Sequence, residues 1–195
     1  MKPKIILASR SPRRSRILKE CGIPFKIHPS NVEEITKPNE SPRHNVIHNA
    51  RLKAKDVAKE YSRAYVLGVD TVVSFRGTII GKPRDLAEAE KLLHRFSGHP
   101  LTVYSGICIV CSATHKSVTS VTTTKVRVKK MSSRMRKKML DLLDPLDRAG
   151  GFSIEGIGSF IFDTVEGSFY NVLGLPMNTV YDLFKKIGVD LLDYL

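Results

Sequence analysis

The order of β-type and helical segments predicts an α/β protein, a sheet with helices packed on it, and three observations carry this. Lys4–Ala8, Tyr65–Val69 and Val72–Phe75 are short apolar runs suited to buried strands. Leu101–Cys111 and Ser117–Val128 are longer β-type segments, expected to pair. His44–Tyr61, Leu86–Phe96 and Met177–Ile187 instead repeat their apolar residues at helical spacing. With 195 residues, 42% of them hydrophobic, the chain can bury a full core. We read residues 1–195 as one domain, without repeats or a linker. No apolar run approaches the ~20 residues of a membrane span. Met1–Lys4 leads into a strand rather than a signal-peptide core, so a cytoplasmic location is expected.

Taken in order, Lys4–Ala8 is the first strand. Ser11 and Pro12 then supply an N-cap and a proline at the first helical position, where a missing N–H costs nothing. Ile17, Leu18 and Cys21 form that helix's apolar stripe, and Gly22 can close it in a left-handed conformation. Phe25–His28 is a short strand, and Pro29–Pro42 a polar loop carrying Glu33 and Glu34. In the helix over 44–61, Val46, Ala50, Ala54, Val57 and Tyr61 share a face, with Lys53 and Lys55 beside it. Asp70 and Thr71 interrupt the next apolar run, which places Asp70 at a strand end.

Arg76–Gly77 is a turn, Thr78–Ile80 a return strand, and Gly81–Pro83 a rigid corner presenting Lys82. Asp85 caps a helix that buries Leu86, Ala89, Leu92, Leu93 and Phe96 and stops at Gly98. After the two long strands, Ser132 or Ser133 starts a helix to Leu143, which Asp144–Pro145 ends. A glycine-rich loop from Asp147 includes Arg148, Glu155, Gly156 and Gly158. Ser159–Val165 reads as a strand, Glu166–Gly167 as a turn and Tyr170–Val172 as a short extended piece. Gly174–Pro176 leads into the last helix.

Cys21, Cys108 and Cys111 cannot all pair, and Cys108-Ile-Val-Cys111 lies in a strand pattern, which argues against redox or zinc roles. His44 and His48 have zinc-helix spacing, but Asn45 stands where a metalloprotease carries glutamate, so they are read as surface histidines. The net charge of +13 favours polyanions at low salt. Much of the excess lies between Lys125 and Lys138, a run with no acidic residue and no aromatic for base stacking.

The chemistry concentrates in Leu7–Arg14, LASRSPRR. A strand running into a helix N-terminus aims free N–H groups and the positive end of the helix dipole at one point, a site for an anion. Ser9 and Ser11 add hydroxyls, and Arg10, Arg13 and Arg14 add forks suited to phosphate. Asp70 and Glu34 are hard oxygen ligands of the kind magnesium or manganese prefers. Arg13, Arg14, Lys53 and Lys82 can neutralise a triphosphate. These are the parts for phosphoryl or nucleotidyl transfer to water. Each also has a structural reading alone: an N-capped helix with solvated arginines, a turn-forming aspartate, a surface lysine before proline. Their joint presence favours the site. GxxxxGK[ST], GxGxxG and GxSxG are all absent.

LASRSPRR, NVEE, Ala50–Ala54, GVDTVV, IIGKP, FSG, DRAGGFSIEG and NVLGLP stand in the order and spacing of the Maf family, which the chain resembles from Leu7 to Pro176. The resemblance implies a nucleoside triphosphate pyrophosphatase, a class also described as septum formation inhibitors. Such enzymes cleave between the α and β phosphates with a divalent metal, Mg²⁺ or Mn²⁺. It implies an elongated fold, with a mixed sheet and a nucleotide-binding cleft between two lobes, often in a homodimer. Asp70 then corresponds to the general base and Glu34, with Asp70, to the metal site. Ser9, Arg13, Arg14, Lys53 and Lys82 correspond to phosphate-binding positions, and Arg13, Thr71 and Glu155 to positions that vary with base preference.

Three features depart from the pattern. Glu155 and Arg148 replace the glutamine and lysine of pyrimidine-preferring members. An ionised glutamate only accepts hydrogen bonds, which suits a guanine-type edge such as that of a 7-methylguanosine triphosphate, unless Arg148 compensates. Arg13 and Thr71 match the pyrimidine set, so dTTP/UTP is the expected substrate class, with guanine-type or modified nucleotides as the alternative. FSGHPL lacks the usual residues after Ser-Gly, which would alter loop packing. The basic 125–138 segment replaces an acidic one, and supports a further alternative, a regulatory protein binding nucleic acid or a division partner with catalysis secondary.

Overall fold

The computed structural model describes residues 2–35, 40–143, 146, 151 and 153–195. Among these, seven strands form one mixed sheet: β1 (Lys4–Leu7), β2 (Lys26–Ile27), β3 (Ala64–Phe75), β4 (Thr78–Ile80), β5 (Pro100–Cys111), β6 (Ser117–Val128) and β7 (Phe162–Glu166). Their order is β2-β1-β3-β5-β6-β7, with β4 also paired to β3. β1 runs parallel to β2 and β3, whereas β4 and β7 pair antiparallel with β3 and β6. The helices are α1 (Pro12–Glu20), α2 (Pro42–Ala58), α3 (Leu86–Phe96), α4 (Ser133–Leu142), α5 (Phe169–Val172) and α6 (Met177–Lys186). The α/β expectation is met. Among the described residues no helix is long and apolar enough to cross a membrane.

The chain divides into two compact units, with the boundary falling inside β3, β5 and β6. The first comprises Met1–Thr71, Ser105–Thr122 and Leu173–Leu195. Its core sets Ile6, Ala8 and Val66 against Ala50, Ala54 and Val57 of α2, with Cys108 and Val110. α2 lies backbone-close on the sheet because glycines face it. A Cβ on Gly68 would stand 2.2 Å from Ala50 O, and one on Gly106 2.2 Å from Val46 O. α1 ends as its sequence requires: Gly22 adopts φ +69°, and the Gly22 and Ile23 N–H groups donate to Lys19 O and Leu18 O.

The second unit, Val72–Tyr104 and Thr123–Val172, has its own core of Phe75, Leu93, Phe96, Leu101, Val128 and Ile161. Arg76 and Gly77, both at positive φ, make the two-residue turn from β3 to β4. Asp85 and Ser132 cap α3 and α4 through their side chains, accepting from the N–H groups of Glu88 and Met135. In the altered Ser-Gly loop, Ser97 Oγ accepts the Met131 N–H at 2.7 Å and the His99 ring tilts against Phe75.

Several expectations are corrected. Asp70 does not end a strand; it lies inside the continuous twelve-residue β3, because a lysine meets its carboxylate there and the backbone ladder need not break. Leu86 is 57% exposed, and the buried stripe of α3 starts one turn later at Ala89. Ser159–Ile161 belong to a 3-10 helix, Gly156–Ile161, where Gly156 takes φ +59° and Ser159 Oγ donates back to Gly156 O. Tyr170–Val172 are helical, since the Ser168 hydroxyl and carbonyl both accept the Asn171 N–H. A C-terminal 3-10 helix, Leu191–Tyr194, was not anticipated. Asp144, Pro145 and Asp147–Gly150, including Arg148, lie outside the described residues.

Candidate active site

In the first unit, β1, the start of α1, the loop after β2 and the face of α2 enclose a cavity of about 330 Å³. Ser9, Arg10, Ser11, Arg14, Asn31, Glu34 and Lys53 are among the residues that line it. Ser9 Oγ accepts from the Ser11 N–H at 3.2 Å and from Arg14 Nη1 at 2.9 Å. Both its lone pairs are used, which leaves its own O–H to offer an anion. Ser11 occupies the N-cap of α1 but accepts no side-chain capping bond.

Arg14 is more firmly held than expected of a phosphate ligand. Nε donates to Gly174 O (2.9 Å), Nη1 to Val69 O (3.0 Å) as well as to Ser9, and Nη2 to Thr71 Oγ1 (3.1 Å). Four of the five guanidinium N–H donors are thereby engaged by protein. Burial lowers its pKa, opposed by the charges of Asp70 and Glu34 and reinforced by Arg13. It remains a cation, fixed at the cavity wall. Thr71 Oγ1, expected to vary with base preference, faces this guanidinium and the Ser105 hydroxyl, 2.8 Å away.

Two carboxylates converge on Lys53. Its Nζ lies 2.8 Å from Asp70 Oδ1 and 2.7 Å from Glu34 Oε1. Asp70 is only 4% exposed and Lys53 8%, so this is a desolvated pair, whereas Glu34 reaches in from solvent. Among the described residues no three His, Cys, Asp or Glu side chains gather as a metal cluster. The donor set nevertheless fits magnesium or manganese. Two carboxylate oxygens already share one cationic neighbour, and such ions complete their shell with water and substrate phosphates.

The same stretch of α2 carries two residues the sequence reading passed over. Asn45 and Asn49 are buried on the helix face that also bears Lys53. Asn45 Nδ2 donates to Ile35 O (2.7 Å), and Asn49 exchanges hydrogen bonds with the Ile35 C=O and N–H at 3.1 and 3.0 Å. Asn49 Nδ2 also lies 3.2 Å from Asp70 Oδ2. The signal was available: polar residues at 45, 49 and 53 repeat every fourth position within a helix whose neighbouring face is apolar.

Arg13 lies in the first turn of α1, in the same unit. Lys82 follows β4 and Glu155 precedes the 3-10 helix, both in the second unit. Glu155 donates its N–H to Ser153 Oγ at 3.2 Å. His44 is exposed and pairs with Glu40, as a surface histidine should, whereas His48 is half-buried with its Nε2 turned away from solvent, which corrects its reading as a surface residue. Across the basic segment, Lys125, Arg127, Lys129, Lys130, Arg134, Lys137 and Lys138 are exposed. Arg136 is tied to Met131 O and Ser133 Oγ.

A family model described as "Maf-like protein" matches residues 4–187. The chain is 37% identical over 193 residues to the dTTP/UTP pyrophosphatase of Caldicellulosiruptor saccharolyticus, covering 97% of both chains. It is 37% identical to that of Dictyoglomus thermophilum (98% of this chain, 100% of the relative). With that of Acetivibrio thermocellus it shares 38% identity, over 97% of this chain and 98% of the relative.

Proposed function

This chain belongs to the Maf-like family, and from that premise we propose that it is a nucleoside triphosphate pyrophosphatase, hydrolysing dTTP and UTP to the monophosphate and pyrophosphate. The observation that carries the reading is the buried Asp70 carboxylate, paired with Lys53, which with Glu34 lines a cavity that also presents Ser9, Ser11, Arg10 and Arg14. Asp70 takes the proton of the attacking water; its carboxylate is oriented by Lys53 on one oxygen and Asn49 on the other. Ser9 and Arg13, with the positive N-terminal end of α1, bind phosphate oxygens, while Arg14 supplies a fixed positive charge behind them.

Asp70 and Glu34 would hold the divalent cation, Mg²⁺ or Mn²⁺, which when bound neutralises phosphate charge and acidifies water. Lys82 as a phosphate ligand, and Arg13, Thr71 and Glu155 as determinants of base choice, rest on the family resemblance. A cytoplasmic location, a homodimer and weak, salt-sensitive nucleic-acid binding through Lys125–Lys138 are lesser parts of the same proposal.

The test is pyrophosphate release from dTTP, UTP, dGTP and 7-methylguanosine triphosphate, with magnesium and then manganese. Asp70→Asn should fold and lose ~10²–10⁴-fold in kcat. A folded Asp70→Asn protein with unreduced turnover would remove Asp70 as the base. Preference for the guanine nucleotides would transfer base choice from the Arg13/Thr71 pair to Glu155.

A further inference from the structure

We propose that Asn49 is a positioning residue for this reaction, setting the orientation of the Asp70 carboxylate and coupling it to the loop that carries Glu34. The proposal rests on the pyrophosphatase reading for its kinetic part and on geometry alone for the rest. Asn49 is 2% exposed, and its carboxamide has protein partners on both of its ends. Oδ1 accepts the Ile35 N–H; Nδ2 faces Ile35 O and Asp70 Oδ2. A carboxamide buried only for packing would be costly, and this one is used up by the residue next to Glu34 and by Asp70 itself.

The consequence for Asp70 is specific. Lys53 bonds Oδ1 at 2.8 Å and Asn49 bonds Oδ2 at 3.2 Å, so each oxygen has one lone pair committed to a donor on α2. Two donors one helical turn apart, on a single rigid element, fix the plane of the carboxylate as neither could alone. The lone pairs left over are thereby aimed. Asn45, one turn earlier, reaches Ile35 O and its oxygen lies 3.5 Å from Asn49 Nδ2, but no bond joins it to Asp70. It anchors the loop without orienting the carboxylate, and so serves as the comparison.

Asn49→Leu should lower kcat ~10–100-fold, the usual cost of losing a partner that orients a functional carboxylate, with KM for the nucleotide changed less than ~3-fold. Asn45→Leu should cost markedly less in kcat. Circular dichroism and thermal melts establish that both variants fold. A folded Asn49→Leu enzyme with kcat within ~3-fold of the parent overturns the proposal. So does an Asn45→Leu loss as large as that of Asn49→Leu, since loop anchoring would then account for everything.

A second measurement does not depend on turnover or on the Asn49 variant folding. The side-chain amide resonances of Asn49, assigned in the unmodified protein by triple-resonance NMR, should shift in Asp70→Ala; if they stay in place, the contact is refuted. Should the parent release no pyrophosphate from any nucleotide, the activity reading falls while the NMR result still decides the contact.

Discussion

Gly68→Ala is the sharpest probe of how the fold holds its site. The added Cβ would lie 2.2 Å from Ala50 O, 2.7 Å from Ala54 N and 2.8 Å from Ala54 Cβ, all on α2. A carbon needs about 3.3 Å from a carbonyl oxygen, so α2 must retreat by about 1 Å. No side chain can yield instead, because two of the three obstacles are backbone. Overpacking of this kind costs ~1–3 kcal/mol, which for a chain of this size lowers Tm by ~2–4 °C per kcal/mol. The functional cost is of similar size. Asn49 and Lys53 ride on the displaced turns, and a retreat of about 1 Å stretches the 2.8 Å Lys53–Asp70 contact beyond hydrogen-bonding range. Misplacement on that scale can cost ~100-fold in kcat/KM. Calorimetry and pyrophosphate release on the same preparation test both halves. An alanine variant with unchanged Tm and unchanged kcat/KM would show that α2 does not position the site through Gly68.

Two further predictions concern titration. Burial pushes the Cys108 thiol up to about 11, against the pull of Arg51 and Lys55. Burial also raises Cys111, but hydrogen bonds involving Thr114 and Ala113 outweigh it and bring that thiol below its ordinary value. Iodoacetamide near pH 8 should therefore label Cys111 first and Cys21, raised by burial and Glu20, after it, leaving Cys108 unmodified; peptide mass spectrometry showing Cys108 labelled early would refute this. Glu88 is held below its ordinary 4.5 by hydrogen bonds from the Arg84 N–H and guanidinium. A depressed carboxyl contributes stability above its unfolded value and loses it as pH falls through the folded one. The Tm gap between parent and Glu88→Gln should thus be small but present at about pH 7 and close as pH falls through the depressed folded-state value; a gap that persists in strong acid would refute the pairing.

Where sequence and structure part, the reason is local. Two helix starts were legible because Asp85 and Ser132 cap through their side chains, whereas α2 starts at Pro42, inside the stretch read as loop, where Ser41 caps it. The site's charged members were legible by type. The position of Asp70 within β3 was not, because polarity in a strand pattern reads as a terminus unless the partner, Lys53, is known to arrive from another element. Asn45 and Asn49 left a periodic trace beside Lys53, but not their partner: it is the main chain of Ile35, ten and fourteen residues away, and a sequence does not display backbone acceptors. The 3-10 turn before β7 and the single turn of α5 depend on hydroxyls of Ser159 and Ser168 returning to nearby backbone, bonds too short-range to leave a periodic pattern.

The first unit is assembled from three separated stretches of chain, and its last stretch supplies Gly174 O, the acceptor of Arg14 Nε. The second unit closes with Val172. During synthesis, which runs from the N-terminus, the second unit has all its segments while the first still lacks the α6 side chains Val180, Leu183 and Phe184 that bury into it. The anion-binding wall, begun at Ser9–Arg14, is thus completed only after the last segment of the second unit has been made. A nascent chain carries most of the charged residues of the site well before it carries the site.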